Sequence, residues 1–204
     1  MNNLKYKNKN SNSGFTLIET LVVASIITLI MSSILALVKG TQEKAKRTVA
    51  LANQRQLQKA VELYYNDMGF YPPDVNRGWD PGISKALPSN SDLNKDCATN
   101  SADCPVCLTC PADWVDQVRA KWQGPYTASW PNTAPWGGKY DFNNWNTVTT
   151  RYGCQVPPGV YIGTQRNYDE SNPIPYLSEK WFFDNQQDAD NCINGESQLQ
   201  LIRY

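Results

Sequence analysis

Apolar residues are distributed along this chain in three regimes. From Phe15 to Val38 they are nearly continuous, and Glu19 is the one formal charge in those 24 positions. A helical run of that length makes a rod of about 36 Å, enough to cross a bilayer core of about 30 Å. Over residues 41–68 the run gives way to a three- and four-residue rhythm. Leu57, Ala60, Val61, Tyr64 and Met68 fall on one face, and Gln54, Arg55, Gln58, Lys59 and Glu62 on the other. No Pro or Gly interrupts residues 41–68; Gly69 then offers a left-handed cap and Pro72-Pro73 forbids continuation. The pattern predicts one helix from about Phe15 to Met68, apolar all round in its first half and amphipathic in its second. At roughly 80 Å it is longer than a compact domain of this size needs, so it should protrude.

The third regime is mixed. Residues 70–113 are rich in Pro, Gly, Asn, Asp and Ser, which reads as a long surface loop with a short helical turn near Ile83–Leu87. A short helix is expected from Asp113 to Gln123, with Asp113 as its N-cap and Trp114, Val118 and Trp122 four apart. Strand patterns follow at Lys139–Phe142, after a hairpin-type Gly137-Gly138 turn, and again at Val160–Ile162 and Gln198–Ile202. One long helix followed by short strands predicts an α+β fold. In it a small antiparallel sheet covers the face carrying Leu57, Val61, Tyr64 and Met68.

Composition sharpens this picture in three ways. The 204 residues carry zero formal net charge, which argues against nucleic-acid affinity resting on charge. There is no His, so the commonest general base and metal ligand is missing. The charge is also unevenly spread: Lys5, Lys7 and Lys9 precede the apolar run with no acid among them. By the positive-inside tendency this places the N-terminus in the cytoplasm and the body outside, although Lys39, Lys44, Lys46 and Arg47 on the far side pull the other way. No small-residue cleavage site follows the apolar run, so it should stay attached.

At Gly14-Phe15-Thr16-Leu17-Ile18-Glu19 the sequence closely resembles the processing signal of type IV pilins and type II secretion pseudopilins. Ala60–Pro72 is similar to the end of the long helix in major pseudopilins and related pilins, and Trp122–Tyr126 with Pro135–Tyr140 to the segment after it. The resemblance implies a pilin lollipop and divides the chain into a cleaved basic leader (1–14), a membrane and filament-core helix (15–38), its amphipathic continuation (39–69) and a head (70–204). The head would hold a Cys-rich loop over residues 74–121. It further implies cleavage between Gly14 and Phe15 by a prepilin peptidase, methylation of the Phe15 amine, handling by an inner-membrane assembly platform, and self-assembly into a helical homopolymer. Glu19, costly in lipid, would then pair with the Phe15 ammonium of a neighbouring copy. Two positions depart from the family: Ala36 stands where a helix-kinking Pro is frequent, and Thr28 where a Gly is common.

The remaining chemistry is sparse. Cys97, Cys104, Cys107, Cys110, Cys154 and Cys192 all follow the apolar run, as expected of disulfides in an exported body. Six thiols allow more pairings than a sequence can choose among, with Cys154 and Cys192 the natural remaining pair once the four clustered residues are set aside. The C-x6-C-x2-C-x2-C run could bind zinc or an iron–sulfur cluster, but Pro105, Pro111 and the missing His favour disulfides. Asp184, Asp188 and Asp190, near Asn185, Asn191 and Glu196, supply the oxygen ligands calcium prefers. The family resemblance also implies a calcium site in the C-terminal loop; the alternative is a solvated acidic loop, and no other cofactor is expected. No catalytic constellation stands out, so an enzyme is not expected. The abundant Trp and Tyr are expected in the core and between subunits rather than in a binding patch.

Three functions follow from this reading. The first is a structural subunit of a type IV pilus, held in the cytoplasmic membrane with its head outside before it joins an extracellular or periplasmic filament. The second is a major-pseudopilin-like subunit of a type II secretion system. The third is a membrane-anchored binding protein whose N-terminal helix is never cut.

Overall fold

The computed structural model describes residues 14–75, 77–89, 110–190 and 192–203, excepting the side chains of Ala36 and Arg203. Residues 1–13, Asn76, residues 90–109 of the Cys-rich loop, Asn191 and Tyr204 lie outside the described residues. Two compact units divide the chain, Met1–Gln42 and Glu43–Tyr204. One helix, α1 (Leu17–Met68), runs unbroken through both. It closes as its sequence demands: Gly69 adopts φ +83° and its N–H donates to Tyr65 O at 2.7 Å.

The second unit is built on the amphipathic half of α1. A short helix, α2 (Trp114–Lys121), comes first; Asp113 precedes it without a side-chain cap bond. Five strands and a third helix follow: β1 (Lys139–Trp145), β2 (Thr149–Arg151), β3 (Cys154–Val156), β4 (Gly159–Gln165), α3 (Tyr176–Asp184) and β5 (Ser197–Arg203). The main sheet is antiparallel in the order β1-β4-β5, and all seven residues of its central strand are buried. Strand pairing sets Phe142 opposite Ile162 and Asn144 opposite Val160, which brings Tyr140, Phe142, Val160 and Ile162 onto one face. Against that face pack Leu57, Ala60, Val61, Tyr64 and Met68 of α1. The fold is therefore the expected α+β arrangement, with a long N-terminal helix and a small antiparallel sheet.

One residue of α1 departs from the pattern. Gln54 falls on the polar side of the sequence rhythm, yet it is fully buried and its amide donates to Ile162 O at 3.2 Å and Ser197 O at 3.4 Å. Its side chain ties the helix to β4 and to the start of β5. The Gly137-Gly138 turn also differs from expectation, because no described strand precedes it. Gly137 N–H donates to Ala134 O, and the turn feeds β1, whose partner is the distant β4. Ile83 is buried in the core as the anchor of its loop, with its carbonyl accepting from Tyr126 N–H at 2.9 Å.

The opposite sheet face is polar and buried. Asp141, Asn143, Gln165 and Gln198 occupy it, with Asn143 Nδ2 donating to Gln198 Oε1 at 3.1 Å. Gly163 sits between them because a Cβ there would stand 2.8 Å from Gln198 Oε1 and 2.9 Å from Gln165 Nε2. The β2–β3 hairpin supplies Arg151 to this layer. Arg151 joins β3 through a two-residue turn, Tyr152-Gly153, with φ +46° and +84° at the two positions. Three guanidiniums surround the Tyr152 ring: Arg166 at 4.3 Å, Arg151 at 5.6 Å and Arg77 at 5.7 Å from its centroid.

Candidate functional site

In the first unit Gly14 and Phe15 precede the helix and are exposed, and no atom within 4 Å crowds Gly14. Thr16 and Glu19 form a capping box at the start of α1. The Thr16 N–H and hydroxyl both donate to Glu19 Oε2 at 2.8 Å, and the Glu19 N–H returns to Thr16 Oγ1 at 3.3 Å. Glu19 is thus satisfied within its own turn, beside the bond at which the leader would be cut. Every described side chain from Gly14 to Gln42 is exposed, so this half of α1 buries nothing within its own chain. Its length and composition suffice to cross a membrane.

Hydroxyls along that half close on the helix itself. Thr20 donates to Leu17 O, Ser25 to Leu21 O, Thr28 to Ala24 O, and Ser32 and Ser33 to Leu29 O, at 2.8–3.2 Å. They can therefore stand in hydrocarbon without an open polar group. With Thr28 and Ala36 rather than a Gly or a Pro at these positions, the helix is continuous at residues 28 and 36.

The acidic C-terminal loop divides the three candidate calcium ligands. Asp184, at the end of α3, is exposed and paired with Lys180 Nζ at 2.8 Å. Asp188 and Asp190 are buried. Asp188 Oδ1 accepts the Gln198 N–H at 2.9 Å; Asp190 accepts from Cys192 N–H at 3.1 Å and from Asn194 Nδ2 at 2.9 Å. The other Asp188 oxygen is buried without a protein donor. Burial and the adjacent Asp190 charge push the Asp188 carboxyl up to about 8, so the pair needs either a shared proton or a cation. Glu179, which the sequence did not single out, is the neighbouring third acid. It accepts the N–H groups of Asn194 and of Gly195, the latter at 2.7 Å, and burial raises it to about 7. Glu196 pairs with Arg151 at 3.4 Å instead. Among the described residues no three His, Cys, Asp or Glu side chains converge as metal ligands. Asp188 and Asp190 fit one side of a hard-cation site, and Asp184 is tied to Lys180 instead.

Cys154 and Cys192 form a disulfide that ties β3 to the loop before β5, bridging 38 residues. Cys110 is disulfide-bonded as well, whereas Cys97, Cys104 and Cys107 lie outside the described residues. A buried acid also stands beside the polar sheet face. Asp74 accepts the Trp145 indole N–H at 3.1 Å, and desolvation lifts its carboxyl to about 7. The expected aromatic packing is seen in the second unit: Tyr64 meets Phe70, Trp122 and Tyr126 edge to face, with centroids 5.8–6.2 Å apart.

Comparison with known proteins adds two findings. The family model of the prokaryotic N-terminal methylation motif matches residues 9–35, which include Gly14, Phe15 and Glu19. The chain is also 32% identical over 77 residues to the type II secretion system core protein G of Aeromonas hydrophila, an alignment covering 38% of this chain and 53% of that protein. The chain thus spans about half the length of the curated relative it matches. No solved structure matches.

Proposed function

We propose that this chain, which carries the N-terminal methylation segment of the type IV pilin and pseudopilin family, is the repeating subunit of a type IV filament, a structural protein rather than an enzyme. In this reading a prepilin peptidase cuts between Gly14 and Phe15 and methylates the Phe15 amine. The first half of α1 holds the subunit in the cytoplasmic membrane with its head outside, until the assembly platform transfers it into the polymer. One observation carries the reading: a helix half whose described side chains are all exposed, apolar to Val38 apart from Glu19 and hydroxyls that bond to the helix itself, beginning within an N-terminal methylation motif. Such a surface is useful only against lipid or against copies of itself.

Glu19 has a defined part in this scheme. In the subunit its carboxylate caps the helix through Thr16. In the polymer the Phe15 ammonium of a neighbour replaces Thr16 as its partner, a charge pair that is stronger once lipid and water are excluded. The test is the mature N-terminus together with the sheared fraction of cells. Methylated Phe15 and sedimentable fibres are expected, and Glu19→Gln should keep membrane insertion while losing the fibres. Fibres at normal yield from Glu19→Gln would refute this role.

The similarity to a secretion core protein favours a second reading within the same class, a major-pseudopilin-like fibre of a type II secretion system. Loss of secretion without loss of surface pili on deletion would select it. The uncleaved, membrane-anchored binding protein predicts Met1 at the mature N-terminus and monomers in detergent, so the same N-terminal measurement decides against one class or the other.

A calcium ion remains a proposal for the C-terminal loop, supported by the buried Asp188 oxygen that no protein group donates to. Asp188 and Asp190 would hold it, and its chemistry there would be neutralisation of two adjacent carboxylates. Calcium should then raise the melting temperature of the head and a chelator lower it, with both effects absent in Asp188→Asn.

A further inference from the structure

The tip of the β2–β3 hairpin carries a cluster that the proposed function does not use. Tyr152 opens its two-residue turn, and the guanidiniums of Arg77, Arg151 and Arg166 all stand within 5.7 Å of the centre of that ring. Arg77 also lies 4.9 Å from the ring of Tyr168, which is 65% exposed in the loop after β4. All five residues belong to the second unit.

Hydrogen bonds fix the three guanidiniums. Arg77 Nε and Arg151 Nη2 donate to one oxygen, Gln165 Oε1. Arg77 Nη1 donates to Arg166 O and Asn167 O at 2.9 Å, and Arg166 Nη2 donates to Asn194 O. Each side chain still has donors to spare. Arg77 Nη2, Arg151 Nη1 and Arg166 Nη1 meet no acceptor among the described residues, and Arg151 Nε and Arg166 Nε are buried without one. Planar forks already held by their own contacts lose little rotamer freedom when an outside oxygen arrives.

The charge of the cluster is one-sided as well. Glu196, its side chain wholly buried, lies 3.4 Å from Arg151. Asp74 and Asp141 feel the same arginines, but burial holds both carboxyls towards the neutral acid, Asp74 at about 7 and Asp141 well above its ordinary range. Near neutral pH the three cations are therefore not matched by three anions. Asp169 and Glu170 are exposed beside Tyr168 in sequence, and Asp169 is closed on the Ser171 N–H and hydroxyl at 3.0 and 2.6 Å. An exposed aromatic ring next to fixed guanidiniums suits an acidic sugar: the ring takes the apolar face of a pyranose, and the guanidiniums take its carboxylate or sulfate.

We propose that Arg77, Arg151 and Arg166, with Tyr152 and Tyr168, form a binding site for an acidic polysaccharide. Its charged group meets the arginines, and an adjoining sugar ring lies on Tyr168. Asp169 and Glu170 favour this occupant over a nucleic acid, whose phosphates recur at every nucleotide and would meet those carboxylates. The site lies wholly in the head, so it serves the chain whether or not it polymerises.

Calorimetric titration of the full chain in non-ionic detergent tests it, with polygalacturonate, chondroitin sulfate, neutral dextran and a single-stranded DNA oligonucleotide as probes. The two acidic polysaccharides should bind, less tightly as salt rises, and dextran should not. Arg166→Gln, which keeps a donor for Asn194 O, should weaken polygalacturonate binding on the order of tenfold, and Tyr168→Ala should weaken it several-fold. Both variants should keep the melting temperature of the head, and the bound polymer should slow hydrogen exchange in the peptide covering 149–156. Dextran binding as tightly as polygalacturonate overturns the proposal, and tighter binding of the oligonucleotide overturns it in favour of nucleic acid. Unchanged polygalacturonate binding in both variants puts the polymer elsewhere on the molecule, and no binding at all by the folded chain removes the site. If Arg166→Gln unfolds the head, Tyr168→Ala, which alters an exposed ring, decides the matter alone.

Discussion

The two halves of α1 share one backbone and obey opposite rules. From Leu17 to Val38 the described side chains are apolar or self-bonded, and all remain exposed as far as Gln42; from Glu43 to Met68 one face disappears into the core. The first half has no partner inside its own unit, whereas the second is the main support of the core. Helix formation is therefore not what distinguishes them. What differs is where each keeps its contacts, outside the chain or within it, and the cost of a substitution should follow that division.

The largest contrast comes from matched truncations. Tyr64→Ala should destabilise the head by about 3–5 kcal/mol, since its ring is buried among three aromatic partners. Leu29→Ala should change head stability by less than about 0.5 kcal/mol. Thermal unfolding followed by near-UV dichroism in detergent compares the two, and equal losses would erase the distinction between the halves. Tyr64→Phe sharpens the comparison: the buried hydroxyl has no bond partner, so its removal should cost little.

The disulfide is the next strongest support of the head. Replacing Cys154 and Cys192 together by Ser should cost about 2–4 kcal/mol in the head, because the bridge closes a 38-residue separation, and should not affect membrane insertion. Urea titration with and without reductant measures it. An unchanged midpoint would mean that the loop before β5 is held by Glu179 and Arg151 alone.

A pH effect of intermediate size follows from Asp74. Its folded carboxyl titrates near 7, above an ordinary value of 3.8, because burial penalises the charge. The folded state therefore binds the proton more tightly than the unfolded state. The contribution of Asp74 to stability is fullest below about pH 4 and declines as pH rises towards about 7, by roughly 4 kcal/mol. Asp74→Asn should flatten that part of the melting-temperature profile, whereas a profile identical to wild type would remove Asp74 as its source. Smallest of all, Thr28→Ala should leave head stability and helicity unchanged within a few tenths of a kcal/mol, because the hydroxyl it deletes bonds only to its own helix. A measurable loss of head stability would show that the first half does brace the second.

Legibility followed the same division. Helix α1 could be read almost to the residue, since its rhythm is long and its ends carry strong signals in Gly69 and Pro72. Strands β1, β4 and β5 are visible in the sequence pattern, but short by two to four residues. Helix α3 was missed: nine residues preceded by Pro175, with aromatics scattered among charges, offer little period to detect. The three-residue strands β2 and β3 are set by their two-residue turn rather than by any pattern of their own. The buried polar face of the sheet was also not legible, because alternation marks which residues share a face and not whether a hairpin will cover it. For the same reason Gln54 looked solvent-facing and Asp184 looked equivalent to Asp188. The N-terminal motif over residues 9–35, by contrast, is legible in local sequence alone, because it is a run of adjacent residues and needs no packed core to be seen.

The hydroxyls that close on their own helix have a further consequence. A segment with no open polar group is nearly indifferent to whether its surroundings are acyl chains or the leucines and valines of identical neighbours, since both are equally apolar solvents. Exchanging one for the other releases little free energy in either direction. In the proposed filament, the traffic of such a rod would be set by whatever acts on its ends, and at the first of them Glu19 holds a bond to Thr16 that can be traded.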